Sequence, residues 1–428
     1  MPEDIRFSPQ TLNAVRALDR NGDGVSYAEL KSLDTDASGA VSEPEALAAG
    51  MEIQDISRIN QTLQQAAGRS PGEIAFVETV PARGGALAIQ NRMAHDSTLG
   101  FRSLIKEVFA KYPSKSDLAE KTAVLARATG IPAERLTPVI QRMVDHQLIQ
   151  NDPFSFAAAE LFLKRYGLEK GVPLIDRVCA FGERKGTGLS AQQQTEVVQD
   201  LFQDLAVPNA INQESRGTCA SCAIQTLLAI VAPEKYIQMV TSLAQGKSCQ
   251  LSDGNQLKPD DSWKKPAQIQ DGRRMSEKLM QNAITNLALG GSGYDSSLDT
   301  GSSQPAPSIG QQQSALEKIL GADKHYDDDF WQSKSAQMGY VEDEIARGRP
   351  AIVNFWGHAF LVVGIDRTGP EANVVFDTYG NQFQMPQSQF EKYIMSSVTI
   401  DDTGSDDQRV PAGRRVVVDA DLTRFAKP

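Results

Sequence analysis

Apolar residues recur at helical spacing over long stretches of this chain, then give way to the short runs of a sheet. Leu136, Val139, Ile140, Met143 and Val144 fall on one face at a period near 3.6, which predicts a helix over 132–150. Ahead of it, Ser116 can cap a helix ending at Gly130, where glycine suits the left-handed position after the last turn. A third helix is expected over 155–166. The polar, glycine-rich segment 182–188 reads as an exposed loop or linker. Cys219 then opens CASCAIQTLLAIVA, apolar nearly all round and stopped by Pro233, with helical pieces following at 233–245 and 273–288. Residues 289–312 are rich in Gly, Ser and Pro and read as a long mobile loop. After a helix near 337–346 come β-type runs at 351–355, 359–365, 374–376, 398–400 and 416–418.

Helices first and strands second within one region imply α+β rather than alternating α/β. A chain of 428 residues allows two or three domains, and its pattern divides at 1–50, 51–190 and 191–428. The middle segment is mainly helical and reads either as a pro- or targeting region or as a permanent domain. Lys and Arg total 43 against 54 Asp and Glu, a net charge of −11. Like-charge repulsion then argues against nucleic acid and anionic membranes as partners. No basic leader with an apolar run opens the chain, and no stretch of about 18 apolar residues occurs. A soluble protein without membrane insertion, secreted or cytoplasmic, is expected.

Four cysteines in this length do not make a disulfide framework. Cys219 stands at the start of its helix, where unpaired N–H groups and the positive end of the dipole favour a thiolate. The same N–H groups suit a developing oxyanion. Gln213, six residues upstream, supplies a second donor if the loop folds back. A thiol nucleophile needs a base. Among four histidines, His358 begins the apolar run AFLVVGI and so sits on a rigid strand. Asp377 ends the next β run, from which its carboxylate can orient the imidazole. His95, His146, His325, Cys179 and Cys249 read as structural.

These residues form a recognisable set. N-Q-x-x-x-G-T-C-A-S resembles the active-site segment of papain-like cysteine peptidases, in which a glutamine six residues before the cysteine completes the oxyanion hole. G-H-A-F-L-V-V-G-I resembles their histidine strand. Phe376-Asp377-Thr378-Tyr379-Gly380 stands where papain itself has asparagine, serine, tryptophan and glycine. Asp377 in place of asparagine is more similar to the bacterial peptidases that process bacteriocin leaders, as is the spacing of Gly380, Met385 and Phe390. The resemblance covers roughly residues 195–400. It implies a helical lobe packed on an antiparallel β lobe and hydrolysis of protein or peptide substrates. C-A-S-C also resembles the papain C-G-S-C, which would make Cys222 the nucleophile; the spacing from Gln213 favours Cys219. Two other readings compete: a transglutaminase or deamidase using the same three residues, and a non-catalytic, calcium-dependent interaction protein on a degenerate peptidase fold.

The N-terminal part carries two acidic loops. Residues 34–45 fit a twelve-residue EF-hand loop, with Asp34, Asp36 and Ser38 as oxygen ligands and Gly39 at the sharp turn. The Ala40 carbonyl, Ser42 through water and Glu45 complete the set. A partner loop offers Asp19, Asn21 and Asp23, with Glu29 one position early. Calcium is the cofactor expected there. No cofactor is expected for catalysis.

Overall fold

A computed structural model of the chain describes residues 110–401 except 215, 266–267, 269–270, 292, 302, 322–324, 328–331, 356 and 368–370. It also describes residues 32–33 and two short strands nearer the N-terminus. The chain divides into two compact units, Met1–Leu99 and Gly100–Pro428. In the first, β1 (Ile5–Phe7) pairs in parallel with β2 (Phe76–Glu78). The acidic loops at 19–29 and 34–45 lie outside the described residues, as does the β run expected at 416–418.

The second unit is mixed helix and strand. Its helices are α1 (Leu118–Thr129), α2 (Ala133–Asp145), α3 (Pro153–Gly182), α4 (Ala191–Ala206), α5 (Cys219–Val231), α6 (Pro233–Ala244) and α7 (Met275–Ala288), then α8 (Ile309–Leu320), α9 (Lys334–Ala346) and α10 (Gln387–Tyr393). The first starts later than Ser116 suggested, because Asp117 takes the capping role and accepts from the Glu120 N–H. Helix α3 runs past the expected end at 166. Gly167 breaks it with φ 60°, and the chain resumes helix beyond, so one glycine makes a kink where the pattern suggested a stop. Helices α1 to α4 share one hydrophobic core with α5 to α8, from Tyr112 to Val398, so the elements on either side of position 190 pack into one core. Among the described residues no helix is long and apolar enough to cross a membrane.

The strands are β3 (Cys249–Gln250), β4 (Gln256–Leu257), β5 (His325–Asp327), β6 (Ala351–Phe355), β7 (His358–Asp366), β8 (Asn373–Thr378), β9 (Asn381–Pro386) and β10 (Ser396–Asp401). The first two form a small hairpin. The rest build one antiparallel sheet in the order β5-β10-β6-β7-β8-β9. Strand β9 was not evident in the sequence, since glutamines alternate with Phe383 and Met385 and a proline closes the run.

Side chains alternate across a strand, so the sheet has two apolar faces. Ile352, Leu361, Val363, Val375 and Val398 join the helical core. On the other face Phe355, Phe360, Phe376 and Phe390 stack together, with Phe376 4.9 Å from Phe360, 5.7 Å from Phe390 and 6.0 Å from Phe383 between ring centroids. Replacing Phe376, 1% exposed, by alanine should destabilise the protein by about 3–5 kcal/mol, read from urea unfolding. A loss below about 1 kcal/mol would show that this ring cluster is not a second core.

Candidate active site

Helix α5 brings the first candidate residue into position. Ala220 to Ala229 are all buried, so the helix is enclosed on every side, and its first residue, Cys219, remains partly exposed at the end. Burial pushes the Cys219 thiol up. The nearby backbone N–H groups of Ala359, Ala220 and Cys219 itself oppose that rise, and the negative charge of Asp299 adds to it. The neighbour from β7 is Ala359, the residue directly after His358.

The cysteine lies on a small crevice lined among others by Gln213, Cys222, Ala359, Asp377 and Thr378. Gln213 is buried, and its amide nitrogen donates to the Arg216 carbonyl at 2.8 Å. That bond closes a short turn over 213–216 and leaves the second amide N–H for another acceptor. Cys222 lies one turn into the helix, buried, with its sulfur 3.5 Å from the Ile211 carbonyl and its thiol driven well up by burial. It has the surroundings of a core thiol.

His358 is 8% exposed and its ring is not among the groups lining the crevice. The ring lies parallel to Tyr379, 4.8 Å away and within 3°. Its Nε2 shares a proton with the Thr378 hydroxyl at 2.7 Å, and its Nδ1 lies 3.4 Å from the Tyr379 hydroxyl. Burial alone pushes the imidazole down to about 4, so it is neutral at physiological pH.

Asp377 was expected to orient this ring, and here the structure differs. The Asp377 carboxylate belongs to the Cys219 crevice and accepts from Gln382 at 3.0 Å. The cause is a bulge in β7. Beyond it Gly364 faces Val375; before it Leu361 faces Asp377. Carried through without the bulge, the register would set Asp377 opposite Val362, on the face that holds Phe360 and His358. The extra residue turns Asp377 to the other face and Thr378 to the histidine.

The hairpin after β8 completes the histidine's surroundings. Thr378 pairs with Asn381, so the turn is Tyr379-Gly380, with φ 49° and 70°. Both residues are left-handed, as a two-residue hairpin turn of the right twist requires. A tyrosine there costs about 1 kcal/mol or more, offset by its stacking on His358. Gly380 packs against Asn212, with a Cβ at 380 falling 3.1 Å from the Asn212 Cβ. The first and third sequence motifs therefore touch.

Beneath this layer runs a buried polar network that the sequence pattern did not reveal. Thr218 donates to Gln281 at 2.8 Å, and Gln281 donates to the Asn212 carbonyl at 2.9 Å and to Gln225 at 3.2 Å. The Asn212 N–H reaches Glu277 at 2.9 Å. Arg274 bridges Glu277 and Asp204, each at 2.7 Å, while Tyr236 donates to Asp204 at 2.6 Å. Helix α7 thus turns a polar stripe inward under the loop before Cys219. The one available signal was composition: Gln281, Asn282, Thr285 and Asn286 alternate with Ala283, Ile284 and Leu287 along the second half of the helix.

Residues 294–299, expected as part of a mobile loop, are largely buried. Tyr294 is 2% exposed and Asp299 fully enclosed, with Gly217 donating to the Asp299 carboxylate. Among the described residues no group of three or more His, Cys, Asp or Glu is arranged for a metal ion. Comparison with protein families, with characterised proteins and with solved structures finds no match to this chain.

Two buried groups give stability opposite pH slopes. Burial, and then the charge of Asp204, raises Asp200 to about 7, against the bond from the Ser276 N–H. The folded state therefore binds the extra proton, and stability falls as pH rises from about 4 to 7. His358, held near 4 when folded, does the reverse: its unfolded form takes up a proton first, so stability falls as pH drops below about 6.5. Between pH 5 and 7 each effect amounts to about 2 kcal/mol, and the two nearly cancel. Relative to the parent protein, Asp200→Asn should gain about 2 kcal/mol of upward slope with pH, and His358→Gln about 2 kcal/mol of downward slope. Urea unfolding at both pH values checks this; equal slopes in all three proteins would contradict it.

Proposed function

We propose that the chain is a papain-like cysteine peptidase with Cys219 as nucleophile and His358 as base. The observation that carries this reading is that Cys219 and Ala359 line one crevice, which sets a helix-terminal thiol beside the residue that follows a buried histidine. Further support comes from Gln213, which lines the same crevice with an amide N–H to spare, and from a helical body packed through α5 on an antiparallel sheet.

The resting pair is a thiol and a neutral imidazole, not an ion pair, since burial disfavours both charges. In the proposed reaction His358, which rests on the opposite face of β7 from the sulfur, leaves Thr378 and Tyr379 and swings around the start of the strand to the sulfur as substrate enters. It takes the thiol proton while Cys219 attacks the peptide carbonyl. The Cys219 N–H and the Gln213 amide meet the oxyanion. The imidazolium then protonates the leaving amine, and water deprotonated by His358 releases the acyl group. At rest Thr378 holds the ring at Nε2, the contact the sequence assigned to Asp377.

Cys219→Ala should reduce hydrolysis of an unfolded protein substrate such as casein by at least about 1,000-fold, with unfolding by urea little changed. Retained hydrolysis would sink the proposal. Ammonia release without cleavage would move it to a deamidase of the same thiol chemistry. Calcium at the acidic loops belongs to the proposal on sequence grounds, and there Asp34→Asn combined with Glu45→Gln should abolish any rise of Tm on adding calcium. An unchanged rise would remove those loops as its source.

A further inference from the structure

Asp299 brings a buried carboxylate to the back of the turn that ends in Cys219. Its two oxygens accept the Gly217 N–H at 3.1 and 2.9 Å, and Oδ1 also accepts the Gly301 N–H at 2.8 Å. The Tyr294 hydroxyl donates to Oδ2 at 2.9 Å. The contact leaves no room: a Cβ at Gly217 would lie 2.5 Å from the Gly301 carbonyl oxygen. Arg216, fully buried, fastens the same two loops, donating to the backbone oxygens of Ser296, at 3.3 Å, and Asp299.

An enclosed carboxylate costs several kcal/mol in lost hydration unless its oxygens are well bonded. A serine or asparagine would satisfy one N–H with far less desolvation. Here a carboxylate stands in the interior, and its bonds go in part to the backbone two residues before the thiol. We propose that Asp299 is a positioning residue for Cys219, clamping the Gly217 N–H so that the first turn of α5 presents the sulfur in one orientation. The inference rests on Cys219 being the reactive thiol.

The charge has a second consequence. It opposes ionisation of Cys219, behind burial and against the N–H donors of Ala359, Ala220 and Cys219. Cys222 and Asp377 are the other ionisable groups on the crevice, and Tyr294, Arg216, Arg273 and Asp271 stand around Asp299. Asp299→Asn keeps the size of the side chain but removes the charge and replaces one acceptor oxygen by an NH2 that cannot accept from Gly217, Gly301 or Tyr294, which loosens the clamp; Asp299→Ala removes it.

The test alkylates the full-length protein with iodoacetamide across pH and reads Cys219 separately from Cys222 by fragmenting the tryptic peptide 217–235. Asp299→Asn should move the Cys219 alkylation midpoint down by about one pH unit. Both variants should lower kcat on casein by about tenfold or more with KM within about twofold. An alkylation profile and kcat unchanged in Asp299→Asn would overturn the proposal, whether or not Asp299→Ala folds. Alkylation needs no substrate. A midpoint that moves in a protein with no peptidase activity would therefore uphold the role of Asp299 and dismiss the peptidase reading alone.

Discussion

The enclosure of helix α5 is the constraint on which the site depends. A helix apolar nearly all round has no face for water, so it must be covered on every side. Strand β7 covers one side and α7 another. Its N-terminal N–H groups still need partners, and they point where the helix emerges from the core. A thiol, the Gly217 clamp and the Thr218 bond to Gln281 gather at that end. The location of the candidate site follows from covering an apolar rod and satisfying its polar tip.

The same enclosure shapes the electrostatics. Groups gathered at the end of a buried helix lose water, so thiol and imidazole both rest uncharged. Carboxylates are tolerated only in company: Asp204 and Glu277 share Arg274, and Asp200 beside them holds a proton to about 7. Most buried charge lies a layer below the crevice, where it fixes backbone, and Asp377 is the carboxylate among the residues that line the crevice itself.

Much of this was legible in the sequence. The apolar length of 219–231, the histidine opening an apolar run and the helices-then-strands order are local properties, and they survive folding. What was hidden depends on partners far apart in the chain. The polar stripe of α7 looks like a solvent-facing stripe until a loop some 65 residues earlier in the chain is laid across it. The segment 289–312 has the composition of a mobile loop, yet Arg216 and Gly217 draw Asp299 into the interior. Gly167 and Asp117 moved element ends by local geometry that periodicity does not encode.

The role of Asp377 failed for a sharper reason. Spacing along the chain identified the right hairpin but not the face, because side chains alternate with every residue and one inserted residue inverts the assignment. The bulge in β7 is that residue, and its effect is chemical as well as geometric. A carboxylate on the imidazole would favour its charged form; the Thr378 hydroxyl fixes the ring without that support. Burial then goes unopposed, and the imidazole is held near 4. The bulge also leaves the Asp377 carboxylate on the sulfur's side of the strand, in the crevice with Gln213. One extra residue in a strand thus decides which of two neighbouring groups holds the His358 imidazole and which faces the space beside the Cys219 sulfur.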